Sequence, residues 1–146
     1  MYQFLIIFHI VSSTIFVLVA IVLTLRSITG WIKNWSYNKV DKVLALIFMG
    51  LLYLTLLHGV IMYFFIDPAV KSQPMDIHQA MKQASLRFWV IEHFYVMTFA
   101  LILSQIGGIF IRKTVLDKSR FTYASFYYGI ATLITMLSMI FYFIYR

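Results

Sequence analysis

The chain contains no cysteine, and this absence excludes several common kinds of site. Disulfides, thiolate-bound metals, iron–sulfur clusters and covalently attached c-type haem all require cysteine side chains. Charge is scarce as well, because only 12% of the 146 residues are Asp, Glu, Lys or Arg. So little charge does not suit the surface of a soluble domain of this length. We therefore expect the chain to be surrounded by lipid rather than by water.

Hydrophobic residues make up 62% of the sequence and are concentrated in four long runs. The runs cover residues 4–25, 43–66, 88–111 and 121–145. Each is long enough to cross the hydrocarbon core as an α-helix. Only one connection, residues 67–87, is long, and a Pro-Met-Asp sequence within it predicts a short amphipathic helix on the membrane surface. The pattern predicts a single transmembrane domain, an all-α up-down-up-down bundle in which the first and third helices are diagonal.

The basic residues predict the orientation of the bundle. Eight of the twelve lie in the two connections on one side, and these are Arg26, Lys33, Lys39, Lys42, Arg112, Lys113, Lys118 and Arg120. Because cytoplasmic loops are enriched in Lys and Arg, we expect both termini outside the cytoplasm. The charges flank the apolar runs and form no stripe along one face. We therefore expect the lipid bilayer as a partner and no nucleic acid.

Three of the four histidines, His9, His58 and His93, lie inside the apolar runs. At about 1.5 Å per helical residue, His9 and His93 are roughly 7 to 8 Å below the extracytoplasmic surface, and His58 is about one turn deeper. Ionisable groups at such depth are costly to bury and are candidates for function. His78 falls in the long connection, where we expect a solvated side chain. Three imidazoles near one end of a bundle indicate a bound metal or haem.

Haem suits these histidines better than a single metal ion does. Zinc or copper usually requires three imidazoles at one point, or a carboxylate among them, and the greater depth expected for His58 opposes this. A haem iron needs only two axial imidazoles. His9 and His93 are expected at equal depth on diagonal helices, so we predict that this pair binds the iron.

Other residues expected near the same end are compatible with a haem. Phe8, Phe94 and Tyr95 are predicted in the outer half of the bundle, where rings can pack against a flat apolar macrocycle. Arg87 is placed to pair with a propionate. Glu92 is the one carboxylate inside a predicted span. It has three alternative roles, which are to accept a proton during quinol oxidation, to hydrogen-bond a histidine, or to pair with Arg87.

Five short sequences give the chain a resemblance to a known family. They are F-L-I-I-F-H, D-K-V-L-A-L, G-V-I-M-Y-F-F-I-D-P, R-F-W-V-I-E-H-F-Y-V-M and F-Y-Y-G-I-A-T-L. Together they span nearly the whole chain, which resembles small four-helix bacterial inner-membrane proteins described as cytochrome b-like. The resemblance implies b-type haem, with His9 and His93 at the family's histidine positions. The family pattern has a histidine nearer Tyr53, so His58 departs from it.

We therefore expect a haem b protein that exchanges electrons with quinol or with a partner redox protein. Two alternatives remain open. One is a non-redox accessory or assembly subunit of a larger respiratory or other membrane complex, in which the histidines hydrogen-bond between helices. The other is a metal-handling membrane protein that uses His9, His58 and His93. The sequence shows no nucleophile–base pair and no phosphate-binding loop, so it assigns no catalytic residue.

Overall fold

The computed structural model describes residues 2–62, 81–82 and 87–144, and these ranges form four long helices without a β-strand. Helix α1 covers Tyr2–Lys33 and α2 covers Lys39–Ile61. Helix α3 consists of a π-helical turn, Phe88–Glu92, followed by the α-helix His93–Lys113. Helix α4 consists of Asp117–Tyr123, a π-helical turn Ala124–Tyr128, and Gly129–Ile144. All four are long and apolar enough to span a membrane, which confirms the predicted all-α membrane bundle.

The helices alternate in direction, as the sequence predicts. Short connections, residues 34–38 and 114–116, join α1 to α2 and α3 to α4. Helix α1 packs against α2 and α4, and α3 packs against the same two helices. Helices α1 and α3 therefore lie diagonally across the bundle. A hydrogen bond of 3.1 Å from Thr24 Oγ1 to Thr132 Oγ1 joins α1 to α4 inside it.

Small residues allow α3 and α4 to pack closely. The inward face of α3 carries small or adaptable residues, all of them buried: Met97, Ala100, Ser104, Gly107 and Gly108. A Cβ atom added to Gly107 would lie 2.4 Å from Tyr127 Cβ, so no side chain fits at that position. On the other side of the core, the Phe48 ring contacts those of Phe16 and Tyr128, with centroid separations of 5.3 and 5.1 Å. These rings join α1, α2 and α4.

At the basic end of the bundle the helices extend beyond the apolar runs. Helix α1 continues to Lys33, past the run that ends at residue 25, and α2 begins at Lys39, before the run that starts at residue 43. The Asn38 side chain accepts hydrogen bonds from the first turn of α2, and Asp41 Oδ2 accepts one of 2.9 Å from the Asn38 N–H. This reciprocal capping starts the helix. Asp41 is only 3% exposed and also binds Arg26, with 2.6 Å between Asp41 Oδ1 and Arg26 Nε.

Tyr37 packs in the connection beside this ion pair. The Tyr37 ring contacts the Phe121 ring edge-on, with 5.1 Å between the centroids. The guanidinium carbon of Arg120 lies 5.7 Å from the centroid of the Tyr37 ring. Burial, and then the neighbouring Tyr128 and Asp41, raise the pKa of Tyr37 to about 12, while Arg120 acts in the opposite direction. The phenol is therefore held in its neutral form.

Several expectations concern parts of the chain outside the described residues. These are the end of the second span at residue 66, the amphipathic helix predicted within residues 67–87, and His78.

Candidate functional site

Three histidines from three helices meet at one end of the bundle. His9 lies near the start of α1, His58 near the end of α2 and His93 at the start of the α-helical part of α3. The rings of His9 and His58 stack, with 5.6 Å between their centroids and 26° between their planes. His93 lies at the same end of the bundle, on the helix diagonal to α1. The structure thus brings together the imidazoles that the sequence singled out.

His58 is fixed by a hydrogen bond to the backbone of α1. Its Nε2 atom lies 3.1 Å from the Leu5 carbonyl oxygen. A carbonyl oxygen only accepts, so Nε2 carries the hydrogen and the neutral ring has an unprotonated Nδ1. This contact also corrects the expected depth, because His58 is level with residues 5 and 9 of α1 instead of one turn deeper. The predicted depth of His58 came from counting residues along the second apolar run alone. The level of His58 relative to His9 also depends on how α2 packs against α1.

His93 is held by a residue that the sequence did not indicate. Its Nδ1 atom lies 2.8 Å from the hydroxyl oxygen of Ser138 on α4, which is 3% exposed. A hydroxyl can donate or accept, so the bond is compatible with both ring tautomers. When Nδ1–H donates to Ser138, Nε2 is the ring nitrogen that carries the lone pair. Histidine ligands of metals typically have such a partner on the second ring nitrogen.

A π-helical turn directly precedes His93. The backbone N–H of His93 donates to the Phe88 carbonyl, five residues earlier, and closes this turn. Isolated π-helical turns occur frequently at functional sites, because the extra residue changes the direction in which side chains leave the helix. The turn therefore sets the orientation of His93 relative to α1 and α4.

His9 has a buried ring nitrogen without a hydrogen bond. Its Nδ1 atom has no partner among the described residues. The ring lies against the backbone of α2, since its Cε1 atom would be 3.6 Å from a Cβ placed on Gly59. Buried polar atoms are nearly always hydrogen-bonded, so an exception requires an explanation. A metal bond to this nitrogen would be one.

The imidazoles are better suited to two-point than to three-point coordination. Within residues 2–62, 81–82 and 87–144, no group of three or more His, Cys, Asp or Glu side chains is arranged to hold a metal ion. A haem iron requires only two protein ligands. His9 and His93 lie on diagonal helices, and His58 packs against His9. A haem between these helices would need only His9 and His93 from this cluster.

The chain matches no protein-family model, curated protein or solved structure.

The other residues predicted near the haem differ in their contacts and in their exposure. Arg87 Nε lies 2.8 Å from Glu92 Oε1, in an ion pair whose two side chains are 39% and 45% exposed. Of the three roles considered for Glu92, pairing with Arg87 is the one observed. Phe8 packs against His58, with 5.0 Å between ring centroids. Phe94 and Tyr95 are 42% and 67% exposed, and the prediction that rings in the outer half of the bundle pack against a haem remains a prediction.

A groove between α3 and α4 reaches the partner of His93. It has a volume of about 270 Å³. Its lining residues are Phe88, Glu92, Val96, Ile134, Leu137, Ser138 and Phe141. The groove is apolar except for Glu92 and Ser138, and the Ser138 hydroxyl connects it to the His93 ring. An apolar molecule dissolved in the bilayer would therefore approach His93 along this side.

Proposed function

We propose that this protein is a membrane-embedded electron carrier with one b-type haem bound by His9 and His93. The observation that carries the proposal is the buried ring nitrogen of His9, which has no hydrogen-bond partner among the described residues, at the end of the bundle where His93 lies on the diagonal helix. Imidazole is a common axial ligand of haem and binds metals through either ring nitrogen. The cytochrome b-like resemblance of the sequence supports the same assignment.

The protein side chains would determine how such a haem is held. The haem itself supplies reversible one-electron chemistry. Ser138 orients the His93 ring, and the bond from His58 to the Leu5 carbonyl holds a second ring against His9. The π-helical turn before His93 directs that side chain away from the regular path of α3. In each case a contact from a neighbouring helix or turn restricts the rotation of an imidazole.

The electron partner proposed here is a quinol or a second redox protein. The apolar groove between α3 and α4 supports the quinol, because a quinol ring is apolar and reaches proteins from the bilayer. In this proposal the protein lies in the bacterial inner membrane with both termini outside the cytoplasm. The histidine end then faces the extracytoplasmic side, where a larger respiratory complex can receive the electrons.

Single histidine substitutions test the ligand assignment. His9→Ala and His93→Ala should each give a five-coordinate, high-spin or haem-depleted protein, because each removes one of the two proposed axial bonds and the Nε2 atom of His58 is held by the Leu5 carbonyl. His58→Ala should retain low-spin haem with an altered potential. His78→Ala is the control for loss of a histidine that the sequence places in the connection instead of in a span. If His58→Ala loses haem as completely as His93→Ala, then His58 is a ligand and the proposed pair is incorrect.

The second candidate is a non-redox accessory subunit of a larger membrane complex. Two of the three histidines are hydrogen-bonded to other helices, which is the arrangement expected of histidines that only hold a bundle together. In that case substitution of His58 or His93 would lower the free energy of unfolding, and purified wild-type protein would show no haem absorption.

A further inference from the structure

The end of α1 holds a tryptophan between two cationic side chains. Asn34 has a positive φ of 52°, and the Trp35 N–H donates to the Gly30 carbonyl at 3.0 Å. This left-handed cap turns the chain back over the last turn of α1. The centroid of the Trp35 ring then lies 5.6 Å from the guanidinium carbon of Arg26 and 5.8 Å from Nζ of Lys33. Trp35 is 39% exposed at the level of the basic connections.

The two cations beside Trp35 are not equivalent. The Arg26 charge is balanced by Asp41, to which it is bound by two hydrogen bonds. Lys33 is exposed and has no ion pair in the part of the chain that the structure describes, and the same is true of Lys39 at the start of α2. These lysines flank the short connection 34–38. The hairpin between α1 and α2 therefore presents two uncompensated positive charges beside an interfacial tryptophan.

An apolar groove begins at one of these lysines. It has a volume of about 440 Å³ and is lined by Lys39, Val40, Val43, Leu44 and Ile47. The residues lie three and four positions apart, so they form one face of α2 that runs from Lys39 into the hydrophobic part of the helix. Apart from Lys39, all the lining residues are aliphatic. The surface thus combines a cationic head with an apolar path along α2.

We propose that this surface binds an anionic phospholipid. Its phosphate contacts Lys33 and Lys39 beside Trp35, and one acyl chain lies along the groove on α2. Charge complementarity selects the anionic headgroup, because a zwitterionic headgroup offers no net charge to the two free lysines. The indole is suited to the headgroup level, where its polar N–H and apolar ring meet the two environments. This proposal is independent of haem binding.

The test compares two double substitutions that remove the same charge from the same end of the bundle. Wild-type protein in a neutral detergent is titrated with phosphatidylglycerol or phosphatidylcholine, and bound lipid is counted by native mass spectrometry. Wild type should prefer phosphatidylglycerol. The double variant Lys33→Gln with Lys39→Gln should weaken phosphatidylglycerol binding roughly 30-fold, because each lysine near the headgroup contributes about five-fold and the two factors multiply. Lys113→Gln with Lys118→Gln, in the connection between α3 and α4, should change it less than three-fold.

Two further measurements test the groove and the nature of the anion. Val43→Trp fills the groove without changing charge and should also weaken phosphatidylglycerol binding. Inorganic phosphate should compete poorly, because it cannot occupy the groove. Equal losses in the two double variants would show diffuse surface charge instead of a site and would overturn the proposal. So would equal binding of the two lipids, unchanged binding in Val43→Trp, or displacement of lipid by phosphate at matched concentration.

Discussion

Asp41 is the residue whose substitution should destabilise the bundle most clearly. It is 3% exposed, accepts two hydrogen bonds from Arg26 and completes the cap at the start of α2 through Asn38. It therefore joins α1 to α2 at the end of the bundle opposite the histidines. Asp41→Ala removes the ion pair and the acceptor for the Asn38 N–H at the same time.

The expected cost follows from the burial of both partners. Removing one member of a buried ion pair costs about 3–5 kcal/mol when the remaining charge is fully buried. The Arg26 side chain is 28% exposed, so water can partly solvate it after the substitution. We therefore expect about 2 kcal/mol from the pair and about 1 kcal/mol from the lost cap, or about 3 kcal/mol in total. Asp41→Asn keeps an acceptor for the cap and should cost about 2 kcal/mol.

Asp117 provides the matched control, because its ion pair with Arg120 lies within one helix and Asp117 is 40% exposed. Asp117→Ala should cost no more than about 0.5 kcal/mol. The free energy of unfolding is measured by titrating each protein in mixed micelles with sodium dodecyl sulfate and following the far-ultraviolet circular dichroism. If Asp41→Ala and Asp117→Ala differ by less than about 0.5 kcal/mol, the argument from burial is refuted.

Three other outcomes follow from the structure. Gly107→Ala should lower the free energy of unfolding by about 1–3 kcal/mol, because its Cβ would meet Tyr127; Gly50→Ala, with nothing within 4 Å, should be neutral or stabilising in the same assay. Because the pKa of Tyr37 rises to about 12 on folding, its phenol retains a proton that the unfolded chain releases near pH 10. The wild-type protein should therefore lose stability between pH 10 and 12 relative to Tyr37→Phe, and equal losses in the two proteins would contradict this. A reporter fused after residue 146 should register the non-cytoplasmic side of the membrane, and a cytoplasmic signal would reverse the proposed orientation.

The bundle was predictable from sequence because the bilayer restricts the alternatives. Four apolar runs can cross it only as helices, and short connections make neighbouring helices antiparallel. The helix ends were harder to predict, because an apolar run in the sequence ends near the first charged residue, whereas the helix can continue past that residue. Arg26 lies inside α1 because Asp41 balances its charge, and Asp41 lies inside α2 because Asn38 caps that turn. The Asn-Lys-Val-Asp sequence contained the capping signal.

The histidine end was predictable only in part. Counting residues along each helix placed His9 and His93 at one level, and both lie at the same end of the bundle in the structure. The same count could not give the level of His58, which depends on the packing between α1 and α2. Ser138 was missed because it is 45 residues from His93 and is one of several hydroxyl residues on α4. Two residues that meet across different helices have no fixed spacing in the sequence, so a single sequence does not predict such a contact.

The most direct test of the central claim is one pair of absorption spectra. Protein purified from haem-sufficient cells is measured oxidised and then reduced, beside the double variant His9→Ala with His93→Ala. The wild type should show a Soret band and, on reduction, the sharp visible bands of a low-spin b-type haem, and the double variant should show neither. Wild-type protein without a Soret band, or a double variant with an unchanged spectrum, would contradict the assignment of His9 and His93 as haem ligands.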